Sequence, residues 1–124
     1  MRNPMRVTLI VLLALTSHAV AAANIGFLTR GPVAYLSQAE FEMLNAAVDK
    51  ALEDAEEGEA IEWSNPDSGH NGTVTLLDIH EDFDTVCRTL RVYTEAAGRR
   101  GGGDFRLCLA DDDTWRFAPQ RKAD

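Results

Sequence analysis

The chain has 124 residues, with 20 acidic against 12 basic side chains and a formal net charge of −8. That length holds one small domain rather than two. The acidic balance argues against partners held by phosphate charge, such as nucleic acid or an anionic membrane surface.

The first residues read as an export signal. Arg2 and Arg6 make a positive start, 7–15 is an apolar core interrupted only by Thr8, and small residues follow. Ala19-Val20-Ala21 and Ala21-Ala22-Ala23 both satisfy the small-x-small cleavage rule. An uncleaved anchor would need about 20 consecutive apolar residues, and Ser17 and His18 end this run early. The expectation is a signal peptide over 1–21, cut after Ala21 or Ala23, then an N-terminal extension over 24–36. A single domain over 37–118 and a tail over 119–124 complete the chain. No cysteine near the cut could carry a lipid, so a soluble mature chain of roughly 100 residues without a transmembrane segment is expected.

The strongest local pattern is a helix. Ser37 and Glu40 have the spacing of a capping box, with Leu36 and Phe41 placed as a hydrophobic staple. Phe41, Leu44, Val48, Leu52 and Ala55 then recur at helical spacing, widened by Ala47 and Ala51, and Gly58 is the expected stop. The remaining face is acidic: Glu40, Glu42, Asp49, Glu53, Asp54, Glu56 and Glu57 against Lys50 alone. A solvated surface explains it most simply; a dock for a basic partner or a weak divalent-cation surface is the other reading. Glu56 and Glu57 fall in the expected last turn, where the helix dipole disfavours negative charge.

Strands follow. Ile61 and Trp63 alternate with Glu62, 65–69 is dense in turn residues, and 73–79 is rich in β-formers. A polar connection is expected over 80–84, then a strand over 85–94 with Leu90 and Val92 on one face and Arg91 and Tyr93 on the other. A basic, glycine-rich loop over 98–103 leads to a strand through Phe105, Leu107 and Leu109; a turn at 111–114 and a strand at Trp115 and Phe117 close the domain. The expected fold class is α+β, one N-terminal amphipathic helix on an antiparallel sheet of about four to five strands.

Two cysteines in an exported chain predict a disulfide, Cys87 to Cys108, between neighbouring strands. Placing them opposite one another also sets Leu90 against Phe105, Arg91 against Asp104 and Thr89 against Arg106, with the turn near Ala97-Gly98. Arg88 is the misfit, because alternation puts it on the apolar face beside Leu107. A bulge at the cysteine or an arginine reaching the rim would resolve it.

Residues with reactive chemistry are sparse. A serine nucleophile needs a histidine to take its proton, and beyond the signal only His70, close to Ser68, and His80 are present, both in expected polar turns. No catalytic residue is assigned. Asp78, His80, Glu81, Asp82 and Asp84 are oxygen-rich but lack a calcium loop's glycine and spacing, and no second histidine supports zinc. They read as a solvated loop, Asp111-Asp112-Asp113 reads as a turn, and neither metal nor cofactor is expected. Gly101-Gly102-Gly103 lacks the lysine of a phosphate loop. Arg88, Arg91, Arg99, Arg100 and Arg106 cluster on the disulfide hairpin, with Arg91, Tyr93 and Arg106 on one face. That face is either cross-strand ion pairing or a site for a carboxylate or other anion. The acidic helix and basic hairpin together also permit self-association.

The run Trp63-Ser64-Asn65-Pro66-Asp67-Ser68-Gly69, then Gly72-Thr73-Val74-Thr75, Cys87-Arg88, Cys108 and Asp113-Thr114-Trp115 resembles the C-terminal domain of the bacterial 17-kilodalton surface-antigen family. The resemblance covers about residues 38–117. It implies a cell-envelope protein of a Gram-negative bacterium without established enzymatic activity, and an architectural role for Trp63, Asn65, Pro66, Gly69 and Trp115. The signal cysteine and glycine-zipper segment of many members are missing here, which favours a periplasmic form over one anchored in or secreted past the outer membrane. The expectation is a non-catalytic binding or structural role with an envelope protein or a second copy as partner. The alternatives are a ligand- or peptide-binding module working through Arg91, Tyr93 and Arg106, and a small secreted hydrolase or enzyme inhibitor.

Overall fold

The computed structural model describes residues 31–118; the expected signal peptide, residues 24–30 of the extension and the tail over 119–124 lie outside the described residues. A 3-10 turn, Pro32–Tyr35, precedes helix α1, Gln38–Glu53. Five strands follow: β1, Ala60–Ser64; β2, Asn71–Asp82; β3, Thr85–Ala96; β4, Arg99–Leu109; and β5, Trp115–Phe117. Their order in the sheet is their order in the chain, every neighbouring pair is antiparallel, and α1 lies on one face. The protein is thus an α+β meander with one disulfide, as the residue pattern anticipates.

The two ends of α1 have different causes. At the start, the Ser37 hydroxyl accepts from the Glu40 N–H (3.2 Å) and the Glu40 carboxylate accepts from the Ser37 N–H (2.9 Å), which completes the capping box. At the finish, the helix stops at Glu53 instead of running on to Gly58. Arg88 of β3 reaches across and donates from Nη1 to the carbonyls of Ala51 (3.3 Å) and Ala55 (3.4 Å). A guanidinium there meets the negative end of the helix dipole and carbonyls that lack helical partners. Arg88 therefore keeps its place opposite Leu107 on the helix-covered face, and the cysteine pair stays in register. Glu56 and Glu57 fall beyond the helix, with Glu57 accepting the Ile79 N–H at 2.7 Å. Gly58, at φ 85°, donates its N–H to Leu76 in β2.

The β3–β4 hairpin has the anticipated register: Cys87 opposite Cys108, Leu90 opposite Phe105, Arg91 opposite Asp104. Its turn is Ala97-Gly98, both at positive φ (54° and 71°), as tight hairpins demand. Two connections differ from expectation. Of the expected loop over 98–103, only Gly98 stays in the turn and 99–103 is strand, because Gly102 gives β4 room against β3: a Cβ at Gly102 would fall 1.8 Å from the Val92 carbonyl oxygen. The expected connection over 80–84 shrinks to Phe83-Asp84, both at positive φ (52° and 57°), and β2 extends to Asp82. Phenylalanine rarely adopts that conformation; here its ring lies 6.0 Å from the Arg106 guanidinium carbon. A bulge in β2 between Leu76 and Asp78 then sets His80 opposite Cys87.

The core lies between α1 and the sheet, with Leu44, Val74, Leu76 and Leu90 at its centre and Val33 of the 3-10 turn closing one side. Trp63 lies against Gly72, where a Cβ would come within 2.6 Å of the indole nitrogen. Cys87 and Cys108 are buried on the face opposite α1 and are bonded. Among the described residues no helix is long and apolar enough to cross a membrane.

The disulfide joins positions 21 apart, and a closed loop of that size contributes on the order of 3 kcal/mol. Urea unfolding with and without reductant is expected to show that loss as a lower midpoint. Coincident curves would mean that the bond adds nothing to stability.

Candidate functional site

The residues with the most chemistry converge on Glu40, whose side chain is only 2% exposed. A carboxylate has about four acceptor positions, and here donors from the start of α1 and from the β1–β2 connection fill them. Oε1 accepts from the Ser37 N–H (2.9 Å) and contacts His70 Nδ1 (3.1 Å). Oε2 accepts from Asn65 Nδ2 (3.2 Å) and the Ser68 hydroxyl (2.5 Å).

Local turn chemistry delivers those donors. The Asn65 side chain accepts the Asp67 N–H (3.1 Å), its carbonyl accepts the Gly69 N–H (2.8 Å), and Gly69 turns the chain at φ 77°. Pro66 holds the second position of this turn, where its fixed φ suits it. The Ser68 oxygen also accepts the His70 N–H (3.1 Å). His70 Nε2 takes the Ala97 N–H (3.3 Å), which places the ring proton on Nδ1, facing Glu40. One carboxylate thus ties the start of α1, the β1–β2 connection and the β3–β4 turn together.

These donors hold the Glu40 pKa at about 2, against an ordinary 4.5. The Ser37 N–H contributes most, followed by Ser68 and then His70, and together they outweigh the burial that pushes the value up. The sequence pattern assigns Glu40 to the acidic solvated face; the structure corrects this. The signal was present, because Glu40 stands four positions before Leu44 and so continues the buried stripe of Leu44, Ala47, Ala51 and Leu52 back by one turn.

Ser68 and His70 are brought together, each on its own oxygen of Glu40. The serine hydroxyl points at the carboxylate rather than at an imidazole nitrogen, and Nε2 is occupied by a backbone donor. This arrangement orients a turn: no imidazole nitrogen faces the hydroxyl, and the carboxylate that accepts from it, with a pKa of about 2, is a weak base.

Arg91, Tyr93 and Arg106 share the face opposite α1, and each meets a carboxylate. Arg91 makes a two-bond pair with Asp104 (2.8 and 3.0 Å), which holds the Asp104 carboxyl below its ordinary value. The Tyr93 hydroxyl donates to Glu95 at 2.7 Å, which pushes the phenol's pKa up. Arg106 lies 3.3 Å from Asp82. Near the disulfide, His80 Nδ1 contacts Asp78 at 2.7 Å, while its Nε2 is buried with no hydrogen-bond partner among the described residues. Strand alternation puts Glu81 on the opposite face from Asp78, His80 and Asp82. No three potential metal ligands converge among the described residues. In the 111–114 turn, Asp112 accepts from Thr114 and Arg116. Trp115 donates to Glu53 at 2.8 Å and lies beside Arg88, fastening β5 to the end of α1.

A cleft of about 290 Å³ opens beside the Glu40 cluster, between Ser68-Gly69-His70 and 95–100. Arg99, at its rim, stacks on Tyr35 with 5.0 Å between guanidinium carbon and ring centre. Compared with family models, curated proteins and solved structures, the chain matches none.

Because the Glu40 pKa is depressed, its contribution to stability is complete above pH 4.5 and is lost as pH falls towards about 2. Glu40→Gln keeps the shape but turns an NH2 group towards donors, so it is expected to destabilise by about 3 kcal/mol. Relative to wild type, its acid limb should flatten over that pH range. Parallel wild-type and variant curves in chemical denaturation against pH would refute the assignment.

Proposed function

We propose that this is a small exported cell-envelope protein of the surface-antigen type, acting by binding or as a structural component rather than by catalysis. One observation carries the reading: several of the motif's side chains hydrogen-bond within the fold. Asn65 and Ser68, with the neighbouring His70, serve Glu40, and Trp115 serves Glu53. In this reading the motif specifies an architecture, and function resides on the surface that the architecture presents.

The disulfide supports an oxidising compartment, since such bonds persist outside the reducing cytosol. The residues of 1–23 supply the matching export signal. An anion binding at Arg91, Tyr93 and Arg106 would have to displace Asp104, Glu95 and Asp82, so small-ligand capture there is the weaker reading.

Expression of the full chain in a Gram-negative host, followed by fractionation and intact-mass measurement, tests the proposal. The expected product is periplasmic, begins after Ala21 or Ala23, carries no lipid, and is lighter than its reduced form by about two hydrogens. An unprocessed cytoplasmic product with free thiols would overturn it.

A further inference from the structure

β4 is half covered. β3 pairs with it along Arg99 to Cys108, but β5 pairs only with Leu107, Cys108 and Leu109. No strand among the described residues lies against its outer edge from Arg99 to Asp104. The direction of its backbone groups follows from two observations. The Cα atoms of Cys87 and Cys108 are 4.0 Å apart, the close spacing of a pair that does not exchange hydrogen bonds. The Arg106 carbonyl accepts the Ala118 N–H, on the β5 side. The even-numbered residues of β4 therefore aim N–H and C=O away from β3. At Arg100, Gly102 and Asp104 those groups form an open ladder, and unpaired ladders invite another strand.

The charges along this edge select the strand. We infer that the occupant is β4 of a second copy, paired antiparallel about a two-fold axis at Gly102. Gly102 then faces its own counterpart, and Arg100 faces the partner's Asp104 on both sides of the axis. Both residues project on the face opposite α1, where Arg91 holds Asp104 and Glu95 holds Arg100 at 3.2 Å. Association would extend these pairs into two rows of alternating charge running across the interface: Arg91, Asp104, the partner's Arg100 and the partner's Glu95, then the reverse. The new pairing runs from Arg100 to Asp104 and stops short of Arg106, whose carbonyl already holds the Ala118 N–H.

Other pairings lack this match. The registers next to it lose both new ion pairs, and those beyond put Arg100 on Arg100 or Asp104 on Asp104. A shift that turned the strand over would aim the ladder groups the wrong way. The outer edge of β1 offers Glu59 and Glu62 with no cation from 59 to 64, so self-pairing there gains no charge contact. The two-fold closes on itself, giving a dimer with a continuous ten-stranded sheet rather than a filament. It stands whether or not the chain is exported.

Sedimentation velocity on the purified protein tests it, with wild type sedimenting as a dimer at or below about 100 μM. Arg100→Glu leaves carboxylates at both positions, and Asp104→Arg leaves guanidinium groups at both. Each like-charge contact occurs twice in the dimer, so either variant alone should associate roughly 100-fold more weakly. Mixed in equal amounts, the two variants regain opposite charges at every contact and should form a heterodimer with near wild-type affinity. Far-UV circular dichroism confirms that both are folded. A monomeric wild type, a dimer indifferent to either change, or a mixture no better associated than its components would overturn the inference.

Discussion

A carboxylate buried at the start of a helix would be a liability unless every oxygen lone pair found a donor. Glu40 meets that condition with donors from Ser37, Asn65, Ser68 and His70. The constraint runs in both directions. The helix cannot start elsewhere without stranding the turn, and the 65–70 turn cannot change shape without exposing a charge to an apolar interior. His70 carries the same constraint on to the β3–β4 turn through the Ala97 N–H. The opposite end of α1 has a mirror arrangement, with a sheet cation, Arg88, on helix carbonyls and Trp115 holding Glu53. Helix and sheet are thus joined by polar contacts at both ends and by apolar packing between them.

Much of this was legible in the residue pattern. The capping box, the alternation through Leu90 and Val92, and the pairing of Cys87 with Cys108 depend on short spacings, and each appears where it was expected. One cross-strand contact sufficed to place Arg91 beside Asp104, since antiparallel register propagates from a single pair. The Arg91, Tyr93 and Arg106 face was legible for the same reason.

What escaped depended on distant partners. Glu40 lies on the buried stripe of its own helix, but the donors that satisfy its carboxylate there come from 25 to 30 positions away. The end of α1 is decided by Arg88, 37 positions from Ala51. Glycines at 101–103 resemble a loop to any local reading, yet the close approach of β3 makes Gly102 a requirement of the strand. Phe83 in a tight turn contradicts local preference outright and is accommodated by the neighbouring Arg106. The composition of Asn65 to His70 marks a turn, while its role as a cradle for one carboxylate is tertiary information.

The linear strand order has a consequence for how the chain is oxidised. Cys87 and Cys108 sit on adjacent strands of one hairpin whose turn lies at Ala97-Gly98, so their thiols meet as soon as that hairpin closes. With two cysteines in the whole sequence there is a single way to join them within one molecule. Such a chain has no mispaired isomers to unscramble, and its quality control reduces to whether the hairpin formed before another molecule's thiol arrived.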